Sequence, residues 1–318
     1  MESFAGLLAV VTGGGTGMGR ELVRQLAAQG CSVATCDLNT DNVAETARLA
    51  EKEAPAGVKI TTHQCDVSDE SQVIRFRDEV VAQHQTDHIN LLFNNAGIGG
   101  GSSFLTGPRE EWDRTFAVDW GGVYHCCRAF VPLLVASDDG YLINTSSVNG
   151  FWASLGMGIP HTAYPAAKFA VKGFTEGLIE DFRVNAPHVK VAVVMPGHIG
   201  TDIVVNSRKI LGNPDPENMT PEALAETRTN LARRGMPADA SDDDIRNMVK
   251  MMGEMFRDNA PTSAAQAATI ILDGVKAGKW RILVGDDAFI LDEAVRQDPE
   301  GAYSAGGPDL STITKLAD

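Results

Sequence analysis

The sequence predicts an α/β fold: a doubly wound, Rossmann-like sheet of seven parallel strands with helices on both faces. Short apolar runs alternate with stretches of helical periodicity along most of the chain. The runs are almost continuously apolar, which is typical of a parallel sheet that is covered on both faces. The first run ends in a glycine-rich turn that opens a helix.

Each strand is predicted from one apolar run. The seven runs are Leu7–Gly13, Ser32–Asp37, Val58–Asp66, Ile89–Gly97, Gly140–Ser147, Lys190–Gly197 and Trp280–Gly285. Helical stretches separate them; the first places Met18, Leu22 and Leu26 on one face and ends at Gly30. We expect one domain over residues 1–318, with its ligand at the carboxyl ends of the strands.

Residues 198–261 interrupt the alternation and are predicted to form a substrate loop or cap. Ser241 and three aspartates start a helix there. This helix either packs on the body or covers a substrate pocket as a mobile element, and its predicted apolar stripe is Ile245, Met248, Val249, Met252 and Phe256. Residues from about 286 to 318 form a C-terminal extension, and 298–318 are predicted to be loop, disorder or a subunit contact.

Composition limits the possible partners. The chain has 27 basic and 42 acidic residues, a formal net charge of −15, so binding to nucleic acid is not expected. No apolar run is long enough for a bilayer and no signal peptide is recognisable, which predicts a cytoplasmic protein without a membrane partner. The five cysteines have no metal-type spacing, so we expect reduced thiols and no metal.

The stretch TGGGTGMG, residues 12–19, has the context of a dinucleotide-binding turn, since it ends a strand and begins a helix. Gly13, Gly17 and Gly19 lack side chains, so the backbone around Thr16 and Met18 can approach a pyrophosphate. Amides at the helix N-terminus can meet the negative charge of that group. A tight turn without a cofactor is the alternative.

A carboxylate at the end of the second strand indicates which nucleotide binds. Asp37 lies 18 residues after Gly19, where it can accept hydrogen bonds from a ribose 2′-hydroxyl. It would repel a 2′-phosphate, and neither residues 14–16 nor Leu38 and Asn39 offer a basic side chain. The sequence therefore favours NAD over NADP.

Further motifs follow in a fixed order: DV at 66–67, NNAG at 94–97, a serine ending the fifth strand, YPAAK at 164–168 and PGHIGT at 196–201. In order and spacing they resemble the short-chain dehydrogenase/reductase family over about residues 5–200, and more loosely to 285. The resemblance implies an NAD-dependent enzyme that interconverts an alcohol and a ketone, and a homodimer or homotetramer.

The resemblance also implies residue roles in cofactor binding. Asp66 would bind the adenine amino group, while Ile199 and Thr201 would hold the nicotinamide carboxamide. NNAG and PG could instead be plain strand-to-helix turns. The full predicted cofactor set is Gly13, Thr16, Gly17, Met18, Gly19, Asp37, Leu38, Asp66, Val67, Asn95, Ala96, Gly97, Tyr164, Lys168, Pro196, Gly197, Ile199 and Thr201.

Tyr164 and Lys168 are four residues apart and share one helix face. NAD carries a hydride, so the protein must handle the accompanying proton. A unit charge about 4 Å from a phenol contributes about 4 kcal/mol, which lowers a pKa near 10 by about three. Burial opposes this effect, whereas the positive charge of oxidised nicotinamide should assist it. We predict a pKa near 7 for Tyr164, which suits a catalytic acid and base.

Two more catalytic residues follow from the resemblance. Ser147, which precedes VNG, is chosen over Ser146 to hydrogen-bond the substrate oxygen. Asp119, in FAVDWGGVY, stands where the family has a catalytic asparagine. We expect an ionised Asp119 to weaken the effect of Lys168 on the phenol and to shift the pH optimum.

Sixteen residues separate Ser147 from Tyr164, where the family commonly has about a dozen. The added bulk of Phe151, Trp152 and Met157, with His198, predicts a pocket for an apolar, middle-sized substrate. Alternatively, this loop lies on the protein surface and does not shape a substrate pocket.

Two other functions remain open. One is dehydration or epimerisation of nucleotide-linked sugars on the same core, although the TGxxGxxG spacing usual in those enzymes is missing. The other is a non-catalytic NAD-binding sensor, against which the retention of Ser147, Tyr164 and Lys168 argues.

Overall fold

The computed structural model describes residues 1–101, 103–156, 159–232, 239–304 and 306–308. Within them the strands are β1 (Leu8–Thr12), β2 (Ser32–Asp37), β3 (Ile60–Gln64), β4 (Leu91–Asn94), β5 (Gly140–Thr145), β6 (Val189–Pro196), β7 (Ile199–Gly200), β8 (Thr262–Ser263) and β9 (Arg281–Val284). Seven of these described strands form one parallel sheet in the order β3-β2-β1-β4-β5-β6-β9. The predicted seven-stranded α/β fold is confirmed.

Helices connect the strands of the sheet. In the described residues they are α1 (Gly17–Ala28), α2 (Thr40–Glu53), α3 (Glu70–His84), α4 (Arg109–Phe116), α5 (Gly122–Val135), α6 (Ala163–Asn185), α7 (Ile203–Ile210), α8 (Pro221–Ala232), α9 (Asp242–Asp258), α10 (Ala264–Lys276) and α11 (Asp286–Gln297). A π-helical turn, Ala117–Gly121, joins α4 to α5. None of the described helices combines the length and the apolar character needed to cross a bilayer.

The sheet is buried on both faces, which explains why its strands are apolar throughout. Side chains of α3, α5 and α6 cover one face, and those of α1, α2 and α10 cover the other. All five residues of β1 are buried. The strand order reverses between β1 and β4, so the loops after these two strands diverge and leave a crevice at their carboxyl ends.

The segment between β6 and β8 contains α7, α8 and α9. Ser241 caps α9 as predicted, in a reciprocal pair of hydrogen bonds with Asp244. The predicted apolar stripe is wrong at Met252, which is 46% exposed. The buried face passes instead through Gly253, because a Cβ there would lie 2.7 Å from Val205 of α7 and only glycine permits this approach.

The residues after β9 pack on the loop that follows β5. Trp152 is fully buried, and its indole N–H donates to the carbonyl of Ala302 at 2.9 Å. Phe151 packs on the same apolar cluster, which includes Leu291 of α11. This corrects the predicted substrate-pocket role of Trp152, because a side chain without exposed surface cannot line a pocket. Met157 lies outside the described residues.

We predict that Trp152→Phe lowers the free energy of unfolding by about 1–3 kcal/mol, because it leaves a small cavity and an unpaired buried carbonyl at Ala302. The matched control is Trp280→Phe at a tryptophan that is 47% exposed, which should cost less than about 0.5 kcal/mol. Urea denaturation measures both values. Equal effects of the two substitutions would contradict the structural role of Trp152.

Candidate active site

The glycine turn after β1 is shaped by close backbone contacts. Gly13 has a φ of 67°, and a Cβ on it would lie 2.7 Å from the Cα of Ala96. A Cβ on Gly19 would overlap the carbonyl of Gly13, and one on Gly17 would lie 3.0 Å from Thr201. Side chains at these three positions would therefore clash with neighbouring atoms. The backbone amides of the turn lie at the start of α1, where an anion can approach them.

A cleft opens beside this turn at the carboxyl ends of the strands. It brings together most of the predicted cofactor residues: Gly13, Thr16, Gly17, Met18, Gly19, Asp37, Leu38, Asp66, Val67, Asn95, Ala96, Gly97 and Thr201. Pro196, Gly197, Ile199, Tyr164 and Lys168 are not among the residues that line it. Ile199 is buried and pairs with Thr262 in the short β7–β8 ladder.

Asp37 faces the cleft from the end of β2. Its carboxylate accepts hydrogen bonds from the backbone amides of Gly15, at 2.9 Å, and Asn39, at 3.0 Å. Arg20 lies nearby, but its guanidinium donates to the carbonyl of Gly15 and to the hydroxyl of Thr46. Among the described residues no basic side chain forms a salt bridge with Asp37, so its negative charge is directed at the cleft.

Asp66 lines the cleft on the far side of the turn. Its two oxygens accept hydrogen bonds from Ser68, at 2.7 Å, and from Arg114, at 2.7 Å. Burial raises the pKa of Asp66, but the hydrogen bonds from Arg114 and Ser68 outweigh it and lower the pKa overall. Asp66 is therefore a fixed carboxylate with free acceptor capacity toward the cleft.

Lys168 and Asp119 form a buried ion pair next to Gly97 of the cleft. Lys168 Nζ lies 3.1 Å from Asp119 Oδ1 and donates to the carbonyl of Thr145 at 3.2 Å. The same Oδ1 accepts from the amide of Ile98, whereas Oδ2 is buried without a partner. A Cβ on Gly97 would lie 2.6 Å from Asp119 Oδ1, so this cleft-lining glycine touches the ion pair directly.

Burial acts on both members of this pair. Burial raises the pKa of Asp119 more than the attraction of Lys168 lowers it. Burial lowers the pKa of Lys168, but the negative charges of Asp119 and of an ionised Tyr164 outweigh it, and this pKa is raised. Lys168 therefore stays an ammonium at neutral pH.

Tyr164 lies in the first turn of α6, one turn before Lys168. Lys168 Nζ is 5.3 Å from the centre of the Tyr164 ring, and the side chain of Tyr164 hydrogen-bonds Ser147. Burial raises the pKa of Tyr164, and the negative charge of Asp119 raises it further. The positive charge of Lys168 and the hydrogen bond with Ser147 lower this pKa. The sum leaves the pKa above its ordinary value near 10. In the protein without a cofactor, burial therefore outweighs the attraction of Lys168. The predicted pKa near 7 includes the positive charge of a bound oxidised nicotinamide, so it stays a prediction.

The residues of the cleft fit a dinucleotide. The turn excludes side chains where a pyrophosphate must approach, a carboxylate stands at the end of β2, and the buried side-chain oxygen of Asn95 has no partner in the protein. Gly97 connects this cleft to the cluster of Asp119, Lys168, Tyr164 and Ser147.

Comparison with known proteins agrees with this arrangement. The family model for short-chain dehydrogenases matches residues 7–211. The chain belongs to the short-chain dehydrogenase/reductase family. It is an oxidoreductase of that family, similar to "Putative oxidoreductase SadH" of Mycobacterium tuberculosis, with 34% identity over 93% of this chain and 92% of that protein.

Two solved structures of short-chain dehydrogenases are also similar. One, from Burkholderia phymatum in complex with NAD, is 25% identical, has a TM-score of 0.77 and covers 97% of this chain and 99% of that one. The other, a metagenomic short-chain oxidoreductase in complex with NADP, is 25% identical, has a TM-score of 0.56 and covers 88% of this chain and 97% of that one. Members of the family thus bind either nucleotide.

Two further side chains of this short-chain dehydrogenase hold backbone segments together. Ser146 is buried and donates to the backbone carbonyl of Lys168 at 2.7 Å, so it holds α6 in place. The amide of His198 donates to Asp287, its ring bonds the carbonyl of Phe256 at 2.7 Å, and it contacts the Phe256 ring. His198, predicted to line the substrate pocket, thus fastens the end of α9 to β6.

His161 lies against Tyr164, with ring centres 5.2 Å apart. Burial lowers the pKa of His161 to about 4, so the imidazole is neutral at physiological pH.

Sequence reasoning missed nine residues that line the cleft: Asn39, Asn42, Cys65, Ile98, Val118, Ile203, Asn206, Lys209 and Ile210. Four of them belong to α7. The position of α7 just after the PGHIGT motif indicates that the helix lies near the predicted cofactor site, but the face that it turns to the cleft depends on tertiary contacts.

Proposed function

We propose that this protein is an NAD-dependent alcohol dehydrogenase or ketone reductase, which interconverts a secondary alcohol and a ketone. One observation carries the proposal: Gly97 lines the dinucleotide cleft, and a Cβ on it would lie 2.6 Å from Asp119 Oδ1 and 3.2 Å from Lys168 Nζ. The cleft therefore lies next to the buried pair, and Lys168 is in turn close to Tyr164. Groups able to handle a proton, close to a cleft that fits a hydride carrier, support this function.

Tyr164 acts as the acid and base. In the oxidation direction its phenolate accepts the proton of the substrate hydroxyl, and in reduction its phenol returns that proton. Ser147, which hydrogen-bonds Tyr164, holds the substrate oxygen at the same point. The nicotinamide of a bound cofactor accepts or supplies the hydride.

Lys168 favours the phenolate through its charge, and Asp119 opposes it. Because Asp119 cancels part of the attraction, Tyr164 ionises at a higher pH than it would with a neutral residue at position 119. The positive charge of oxidised nicotinamide adds to Lys168 when the cofactor is bound. We therefore expect oxidation to be favoured at alkaline pH.

The substrate that fits this site is uncharged. His161, beside Tyr164, is neutral at physiological pH because burial lowers its pKa to about 4. The Asp119–Lys168 pair is internally balanced, so it offers no net charge to a substrate carboxylate or phosphate. Burying an unpaired charge beside Tyr164 would be unfavourable, whereas a neutral alcohol or ketone enters without that cost.

NAD is the cofactor that the charges favour. The carboxylate of Asp37 stands at the end of β2 without a basic partner among the described side chains, and Arg20 is held by Gly15 and Thr46. A 2′-phosphate beside Asp37 would meet a like charge.

We predict that kcat/KM with NAD exceeds kcat/KM with NADP by more than about tenfold, because like charges a few ångströms apart cost more than 1.4 kcal/mol. A panel of secondary alcohols is oxidised with each nucleotide, and the absorbance of the reduced nicotinamide is followed. Asp37→Ala should lower the ratio of kcat/KM with NAD to kcat/KM with NADP, because it removes the charge that repels the 2′-phosphate. A wild-type protein that prefers NADP would overturn the cofactor assignment.

We predict that Tyr164→Phe lowers kcat for an accepted alcohol by about a hundredfold or more, because the acid and base is lost. Binding of NAD, measured by titration calorimetry, should change by less than about threefold. The control is Tyr124→Phe, at a tyrosine that is 43% exposed on α5. Turnover of Tyr164→Phe that equals turnover of this control would contradict the catalytic assignment.

A further inference from the structure

Helix α7 presents one face to the cofactor cleft. Ile203, Asn206, Lys209 and Ile210 line the cleft, and their spacing of three and four residues places them on one side of the helix. The other sides are fixed by the body of the protein. Ser207 is buried and accepts a hydrogen bond from the amide of Gly99 at 2.7 Å, and Val205 packs on Gly253 of α9.

The first half of α7 is attached to the glycine turn. The side-chain amide of Asn206 donates to the hydroxyl of Thr16 at 3.3 Å. Thr201, which precedes the helix, lies against Gly17. Since the amides of this turn are the part of the fold that can receive a pyrophosphate, the cleft-lining face of α7 stands across from that position.

Lys209 is the one cation among the described residues that line the cleft. The other charged side chains there are Asp37 and Asp66, and the whole chain carries a formal net charge of −15. A dinucleotide brings two negative charges on its diphosphate into these surroundings. A local positive charge, added to the amides of α1, offsets part of this repulsion.

The ammonium of Lys209 has only one weak partner among the described residues. It is 59% exposed, and it pairs with Asp215 at 3.8 Å, a carboxylate that is 58% exposed. Such a surface pair contributes at most about 1 kcal/mol and is easily exchanged for another anion. Its neighbour Arg208 is half-buried and donates to the carbonyl of Pro214 at 3.2 Å, so it is committed to the loop after α7.

We propose that Lys209 leaves Asp215 and binds the diphosphate of the dinucleotide, with Asn206 holding α7 to the glycine turn. Helix α7 then forms a clamp across the diphosphate, opposite the amides of α1. This inference rests on the proposed function, because it requires a dinucleotide in the cleft.

Direct binding tests the clamp. The dissociation constants of NAD and of ADP-ribose, which has the diphosphate but no nicotinamide, are measured by titration calorimetry. Lys209→Ala should raise both constants by about tenfold, because a charge-assisted hydrogen bond is lost. Lys209→Arg should stay within about threefold of the wild type, and the loss in Lys209→Ala should shrink as salt is added.

The matched control is Lys250→Ala, which removes the same charge from an exposed position on α9. Lys209→Ala and Lys250→Ala should both melt within about 2 °C of the wild type, because both side chains are exposed. If the dissociation constants of Lys209→Ala lie within twofold of those of this control, the clamp is wrong. The clamp is also wrong if Lys209→Ala loses affinity for NAD but keeps its affinity for ADP-ribose. A wild-type protein that binds neither ligand overturns the proposed function itself.

Discussion

An ammonium that is enclosed by protein needs an anion beside it, and this requirement organises the site around Lys168. Removing Lys168 from water is unfavourable unless Asp119, 3.1 Å away, and the carbonyl of Thr145 replace the lost hydration. Asp119 reaches this position from a π-helical turn between α4 and α5. Gly97 must lack a side chain to let the pair form, which joins the ion pair to the wall of the cofactor cleft.

In the proposed mechanism the same pair has two opposing effects on Tyr164. The charge of Lys168 favours the phenolate of Tyr164, but the carboxylate that stabilises Lys168 disfavours it. A neutral amide at position 119 would leave more of the lysine's attraction for the phenol while stabilising the buried ammonium less. In this chain the balance leaves the pKa of Tyr164 raised. In the proposed mechanism, the positive charge of oxidised nicotinamide then lowers this pKa when the cofactor is bound.

Much of the fold and part of the site could be predicted from the sequence, since local patterns determine them. The strands are apolar throughout because both sheet faces are covered, and TGGGTGMG allows only a close backbone turn. Tertiary packing decided what the sequence could not. Trp152 has the residue type of a pocket wall, but it is buried against Ala302. Met252 fits the periodicity of the apolar stripe, but Gly253 takes the buried position in α9. The side of α7 that faces the cleft is determined by the contacts of Ser207 and Val205 on its other sides.

The acidity of Tyr164 is the most direct test of this account. The pKa can be followed by NMR in protein whose four tyrosines carry a ¹³C label at Cζ, with Tyr164→Phe used to assign the signal. We expect a pKa above 10 in the wild type and a lower pKa in Asp119→Asn, because burial and Asp119 both act against the phenolate. A wild-type pKa at or below 10, or the same pKa in both proteins, would contradict the claim that the buried pair controls the catalytic phenol.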